Sequence, residues 1–337
     1  MSLPSILDYV SAIQNQSALL ANEIAGAIPM EKSGRLIKYS GGFCVVFPCE
    51  INSRKYAVRC WHTDVDRSRI KKISETLSVT NLPYFVSFKY IEKAILTESG
   101  PMPIVLMDWV DALPLKKYIE KHISEKQTIL KLAEAFKDMV ASLHQHHISH
   151  GDLQHGNILV KADGSIILVD YDSLYVPSLQ GEADEVKGLV GYQHPARWSN
   201  KYITEKADYF SELVIYLSIV AFAENPELFE ELMVADSETL LFSKEDIDSK
   251  GSSAIFSRLL PHPTLGPMIK QLKDFLREKD ICNLIPLEEA IIDKETRHIE
   301  KITKGIEDKW KMGNGYNPTK KEQGQIARIT TSVVKKF

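Results

Sequence analysis

Cysteine is scarce: Cys44, Cys49, Cys60 and Cys282 are the only four in 337 residues. No two stand in a CxxC or zinc-ligand spacing, which argues against a cysteine-based metal centre. Free thiols in a reducing compartment are expected rather than disulfides. Long apolar runs are missing too. No segment approaches the ~18 consecutive apolar residues of a membrane-spanning helix. The opening MSLPSILDYVSAIQNQ has neither a basic start nor a continuous apolar stretch, so no signal peptide is expected. Nor is there an excess of one charge. The net charge of −4 gives no electrostatic footprint for nucleic acid or an anionic membrane. Repeats and low-complexity blocks are absent. The expected setting is the cytoplasm.

With 44% apolar and 26% charged residues, the chain has ordinary globular composition and is long enough for a large core. Residues 4–28 carry apolar side chains at roughly helical spacing, which predicts one or two short helices docked on the β-rich region after them. From about 36 to 110 the texture is β-rich: FCVVF, KYAVRCW, YFVSFKYIEKAIL and PIVLMDWV predict a sheet of about five strands. A helix over 64–79 interrupts it, with Ile70, Ile73 and Leu77 on one face. After residue 114 helices take over. One is predicted over 124–147 with Ser124 as N-cap, and others over 205–224, 226–235 and 264–278. The expected fold class is α+β. A small β-rich lobe (35–110) and a larger helical lobe (111–293) flank a cleft, with a helical extension (1–34) before them. A charged helix and basic tail (294–337) complete the chain.

The stretch HGDLQHGNILVKADGSIILVDYD (150–172) concentrates the chemistry. Asp152 comes after a long helix. Asn157 opens a short strand (158–161), Ala162-Asp163-Gly164 makes a turn, and Asp170 closes the return strand (166–169). Such a ribbon brings Asn157 and Asp170 together. Amide and carboxylate oxygens are hard ligands suited to Mg²⁺ that keeps waters and grips phosphates. Asp152 can then accept a proton from a substrate hydroxyl. Five histidines lie nearby (His144, His146, His147, His150, His155), but no Cys or carboxylate joins them at ligand spacing, so zinc is not expected.

These residues resemble the catalytic and metal-binding loops of the protein-kinase superfamily. The His-Arg-Asp-Leu-x-x-x-x-Asn signature reads here as His150-Gly151-Asp152-Leu153 with Asn157. Asp-Phe-Gly reads as Asp170-Tyr171-Asp172. The resemblance runs over roughly 35–290, and the N-terminal extension is similar to that of a group of bacterial kinase-like proteins. It implies Asp152 as base, Asn157 and Asp170 as Mg²⁺ ligands, and ATP as the second substrate. MDWVDALPL (107–115) resembles the interlobe hinge, with Met107 as gatekeeper and the backbone of Asp108, Trp109 and Val110 facing adenine. Ala57 and Leu159 are further nucleotide-binding positions by the same likeness. GYQHP (191–195) resembles the end of an activation segment. KADYFSELVIYL (206–217) resembles the buried helix whose Asp208 braces the catalytic loop.

The pattern is broken in four places. Arg59, in YAVRC, stands where Lys holds the nucleotide phosphates, and the planar guanidinium is larger and differently aimed. Glu75 is its candidate partner. Gly41 and Gly42 are all that remains of a three-glycine phosphate loop, with Cys44 at the third place. Gln154 replaces the Lys of protein Ser/Thr kinases near the transferred phosphate, which weakens charge stabilisation. Its HGDLxxGN form is similar to that of aminoglycoside phosphotransferases. Ala196 replaces the Glu that anchors the activation segment, so an anchoring ion pair should be missing, and Asp172 for Gly should stiffen the metal-binding turn. Three functions are compatible with this pattern: an ATP- and Mg²⁺-dependent Ser/Thr protein kinase, a pseudokinase that binds nucleotide or docks a partner, and a small-molecule kinase. The expected partner is a protein substrate or docking protein.

Overall fold

The computed structural model describes residues 3–292; the predicted tail helix lies outside them. Ser5 caps α1 (Ile6–Ile13) through a capping box with Asp8, and the helix buries Tyr9, Ala12 and Ile13. Short strands come next: β1 (Ile28–Pro29), β2 (Glu31–Lys32), β3 (Arg35–Leu36) and β4 (Tyr39–Ser40). The long strands of the first lobe are β5 (Cys44–Ile51), β6 (Arg54–Trp61), β7 (Phe88–Thr97) and β8 (Gly100–Asp108). They form an antiparallel six-stranded sheet in the order β1-β5-β6-β8-β7, with β4 paired to β5. Strands β5 and β8 are near-continuous in burial because both faces are covered. Helix α2 (Arg67–Thr80), capped by Asp66, packs Ile70, Ile73 and Leu77 on the inner side. On the other side α1 and the turns after it meet Val45, Phe47, Val58, Ile95 and Ile104 in a core of their own.

The helical lobe begins at β9 (Leu113–Pro114) and α3 (Leu115–His122). The next helix, α4 (Lys126–Gln145), starts two residues after the expected Ser124 cap. A three-stranded sheet joins β9 to β10 (Ile158–Val160) and β11 (Ile166–Leu168). Then come α5 (Tyr209–Glu224), α6 (Leu228–Glu231), α7 (Lys244–Asp248), α8 (Ala254–Leu259), α9 (Leu265–Phe275) and α10 (Leu287–Ala290). Every residue of α5 from Tyr209 to Ala223 is buried, so this helix is the axis of the lobe. The lobes meet in a shared core, in which Ala57, Trp61 and Phe88 join Leu153, Leu168 and Leu213. No helix among the described residues is long and apolar enough to cross a membrane.

Candidate active site

The hairpin of β10 and β11 is in the register that the sequence implies, Ile158 opposite Leu168. The Val169 N–H donates to the Asn157 carbonyl at 3.0 Å, which sets Asn157 beside the strand end that carries Asp170. Asn157 is buried, and its amide nitrogen donates to the Asp152 carbonyl (2.8 Å) and carboxylate (3.0 Å). Its amide oxygen accepts no hydrogen bond among the described residues. Asp170 has φ +66° and a half-exposed side chain, turned out of the ribbon. Asp208, just ahead of α5, accepts the backbone N–H groups of His150 and Gly151, as expected of it. Gly151 has φ +76°, and a Cβ there would fall 2.2 Å from the Ser173 carbonyl, so only glycine fits.

Asp152 faces the activation segment. Its second carboxylate oxygen accepts the Leu189 N–H at 2.8 Å, and Gly188 lies so close that a Cβ would sit 2.5 Å from that oxygen. Burial raises the Asp152 pKa, while the Leu189 N–H, a nearby His150 and the Asn157 amide oppose it. The next residue but one, Gln154, does not face this space. Its Oε1 accepts the Gly156 N–H at 2.6 Å, so it braces the loop.

Arg59 is buried, at 4% exposure, and not on the surface. Its Nη2 donates to Asp170 at 3.0 Å and to Asp172. Burial works against the charge, but Asp172 and Asp170 outweigh it and hold the guanidinium protonated. Burial also raises the Asp172 pKa, and Arg59 counters that rise. Glu75 is not brought to Arg59: it is exposed on the outer face of α2, whose buried positions are all apolar. The expected partner is thus replaced by Asp172, the residue read from sequence as a mere stiffening of the turn. The signal was there as a pair: Arg stands for Lys and Asp for Gly, and each change makes room for the other's charge. From α2 it is Arg69 that reaches this loop, donating to the carbonyls of Asp172 (3.3 Å) and Leu174 (3.1 Å).

Gly41 and Gly42 form the exposed turn between β4 and β5, with open space where their side chains would be. Ala57 and Met107 are buried and directly opposite each other on β6 and β8. Asp108 is exposed, and Trp109, Val110 and Leu159 are half-buried. The Trp109 N–H is taken by the Lys55 carbonyl at 3.2 Å, whereas Val110 makes no backbone hydrogen bond among the described residues. Tyr39, at the start of the glycine turn, packs against Trp109 with the rings tilted by 34° and their centres 6.0 Å apart.

The missing Glu at 196 does not leave the activation segment unanchored. Arg197, the next residue, makes a buried ion pair with Asp184, which the sequence alone did not reveal. Of the hydroxyls in the segment, Ser173, Tyr175 and Tyr192 are buried and Ser178 is exposed. Tyr192 bonds His155 Nδ1 at 2.7 Å, and burial lowers the His155 pKa to about 4, keeping the ring neutral. No group of three His, Cys, Asp or Glu side chains among the described residues could hold a metal. His144 instead lies between Glu212 and Glu288.

The family model of the protein kinase domain matches residues 40–258. The chain is 24% identical over 169 residues to the serine/threonine-protein kinase PknB of Mycobacterium tuberculosis, covering 47% of this chain and 27% of that protein. It is 30% identical over 112 residues to the serine/threonine-protein kinase pakG of Dictyostelium discoideum, covering 32% of this chain and 9% of that one. To the serine/threonine-protein kinase CLA4 of Candida albicans it is 23% identical over 212 residues, covering 61% and 21%. The matches thus span about a quarter or less of these relatives' own lengths. With the family model matching most of both lobes, and Asp152 tied to Asn157 beside the ribbon that ends in Asp170, the chain belongs to the protein kinase family.

Proposed function

We propose that this protein is an ATP- and Mg²⁺-dependent Ser/Thr protein kinase, with Asp152 as the base that takes the hydroxyl proton. The observation that carries this reading is the Asn157 amide held on Asp152 while its oxygen and Asp170 remain as oxygen donors across the ribbon. Two hard oxygens, one neutral and one anionic, fit Mg²⁺ that keeps its waters. Bound there, the ion would supply charge neutralisation for the phosphates. Arg59 would add positive charge from the β6 side. Its buried Nε has no hydrogen-bond partner among the described residues. Asp108 and Val110 offer backbone groups to adenine, and Ala57, Met107 and Leu159 apolar surface. A protein acceptor is favoured over a small molecule by the match to Ser/Thr kinases and by the well-built activation segment.

The test is transfer of labelled phosphate from Mg·ATP to the protein itself or to generic Ser/Thr substrates. Asp152→Asn and Asp170→Ala should each abolish it, roughly 10²–10⁴-fold for loss of the base. A second reading, a non-catalytic pseudokinase, is favoured by one observation. Arg59 ties up Asp170 and Asp172, so the metal carboxylate already has a cation. Absence of transfer together with thermal stabilisation by ATP would select that reading.

A further inference from the structure

Outside the nucleotide cleft, Gly151 is held through both of its peptide groups. Its N–H donates to Asp208 at 3.0 Å. Its carbonyl accepts from Nη1 of Arg197, 46 residues further along the chain. Arg197 is 1% exposed and uses its fork fully in this place. Nε and Nη2 reach the two oxygens of Asp184 at 3.3 and 3.2 Å, and Nη1 also donates to Gln193. Asp184 is buried too, and Lys187 Nζ lies 3.4 Å from it. In the related signature an arginine stands between His and Asp; here that place is Gly151. The guanidinium comes from the far end of the activation segment and lands on the carbonyl of that same residue.

We propose that Arg197, held by Asp184, is the positioning residue that orients Asp152 by fixing the Gly151 peptide. The proposal rests on the kinase reading above for its catalytic consequence. The peptide between Gly151 and Asp152 sets the direction in which the Asp152 side chain leaves the loop. Its carbonyl is tied to Arg197, and the N–H groups of the two peptides before it are tied to Asp208, so its rotation is restrained. A buried guanidinium requires a counter-charge, and Asp184 supplies it from within the segment. The same segment touches the Asp152 carboxylate through Leu189. Segment and catalytic loop therefore form one unit, and no added phosphate is needed to join them.

The experiment compares the full chain with its Arg197→Met and Arg197→Lys variants in two measurements. One is steady-state phosphate transfer together with Mg·ATP affinity. The other is amide hydrogen exchange. Arg197→Met should lose about 100-fold in kcat, the cost of a ~1 Å misplacement, with Mg·ATP affinity within about twofold of the parent. Arg197→Lys keeps the buried charge and one donor, guards against a folding failure, and should recover part of that loss. Exchange should quicken at residues 150–152 and 189 and stay unchanged in α9. Unaltered kcat in a folded variant overturns the proposal. So does a loss of kcat and ATP affinity in step with a general rise in exchange. If the parent itself transfers no phosphate, the kinase reading fails. The exchange arm then decides alone whether Arg197 fixes the catalytic loop.

Discussion

Arg59 shows how a single residue type is decided by its neighbours. A lysine at this place would carry a compact point charge; the guanidinium is planar, serves Asp170 and Asp172 through Nη2 and spreads its charge over two further nitrogens. Replacing Arg59 by Met leaves Asp172, whose side chain is 18% exposed, without its hydrogen-bonded counter-charge and with only Arg69 nearby. A broken buried pair costs about 3–5 kcal/mol, and urea unfolding of Arg59→Met should show a loss of that order. Adding Asp172→Gly should restore most of it, and a double-mutant cycle measures the coupling. An unrescued double variant would mean that Arg59 stabilises by packing its stem. At Asp152 the question is pH. Burial raises its pKa, and the base proposed above works only when deprotonated. The acid limb of kcat/KM should therefore lie above the ordinary Asp value of about 3.9, and activity should fall as pH drops through it. A limb at the ordinary value would contradict that burial.

Among the elements, α1 and α4 carry the clearest consequences. α1 exists because Ser5 and Asp8 close its first turn and because Tyr9, Ala12 and Ile13 have an apolar sheet face to cover. Ile13 is fully buried, so Ile13→Ala should cost about 2–5 kcal/mol. Removing residues 1–27 should uncover Phe47, Val58 and Ile104 and make the chain aggregate, as read by light scattering. A soluble, stable truncation would show that the extension is dispensable. On α4, His144 is bonded by Glu212 (3.0 Å) and Glu288 (2.9 Å). Burial opposes its charge, but the two carboxylates hold its pKa up to about 10. Burial pushes buried Glu212 up to about 7, and His144 pulls it back. The two shifts pull apart on how much the pair gains, and the flanking of His144 by two carboxylates decides for a protonated ring. The folded pKa of His144 exceeds its unfolded value of about 6.5, so its stabilisation is complete below that and is lost as pH rises through about 10. The melting temperature should decline over that window, and His144→Gln should flatten the decline. Most of these elements were legible in the sequence, because a periodic apolar stripe or a hairpin turn is local information. The 158–169 hairpin was legible for the same reason, whereas the Asp208 brace, which spans 57 residues, was expected only from the family resemblance. The Arg197–Asp184 pair and the partner of Arg59 were not legible. Each depends on which charges the tertiary fold brings together, across 13 and 113 residues. Glu75 was assigned by spacing from Arg59, but α2 turns its apolar face inward and carries Glu75 outside.

At the scale of the whole molecule, one residue rivets the lobes. Tyr171 is fully buried, with its ring against Phe85 at 5.3 Å and Phe88 at 5.1 Å. Its hydroxyl donates to the Leu168 carbonyl at 2.7 Å and accepts the Val86 N–H at 3.0 Å. Beside it the Leu168 N–H donates to the Tyr84 carbonyl at 2.8 Å. The residue that precedes Tyr171 is Asp170, so this packing fixes the backbone from which the aspartate projects towards Arg59. The hydroxyl explains why Tyr, not Phe, is found here: without it the Val86 N–H would be buried with no partner. Tyr171→Phe keeps the ring and loses that bond, which should cost about 1–3 kcal/mol with unfolding still in one transition. Tyr171→Ala removes the ring as well and should cost about 3–5 kcal/mol. Because the cavity opens between the lobes, amide exchange in β6 and in α5 should then separate into two opening events. If both variants still exchange β6 and α5 together, the lobes are coupled mainly through the rest of their shared core, and Tyr171 serves only to aim Asp170.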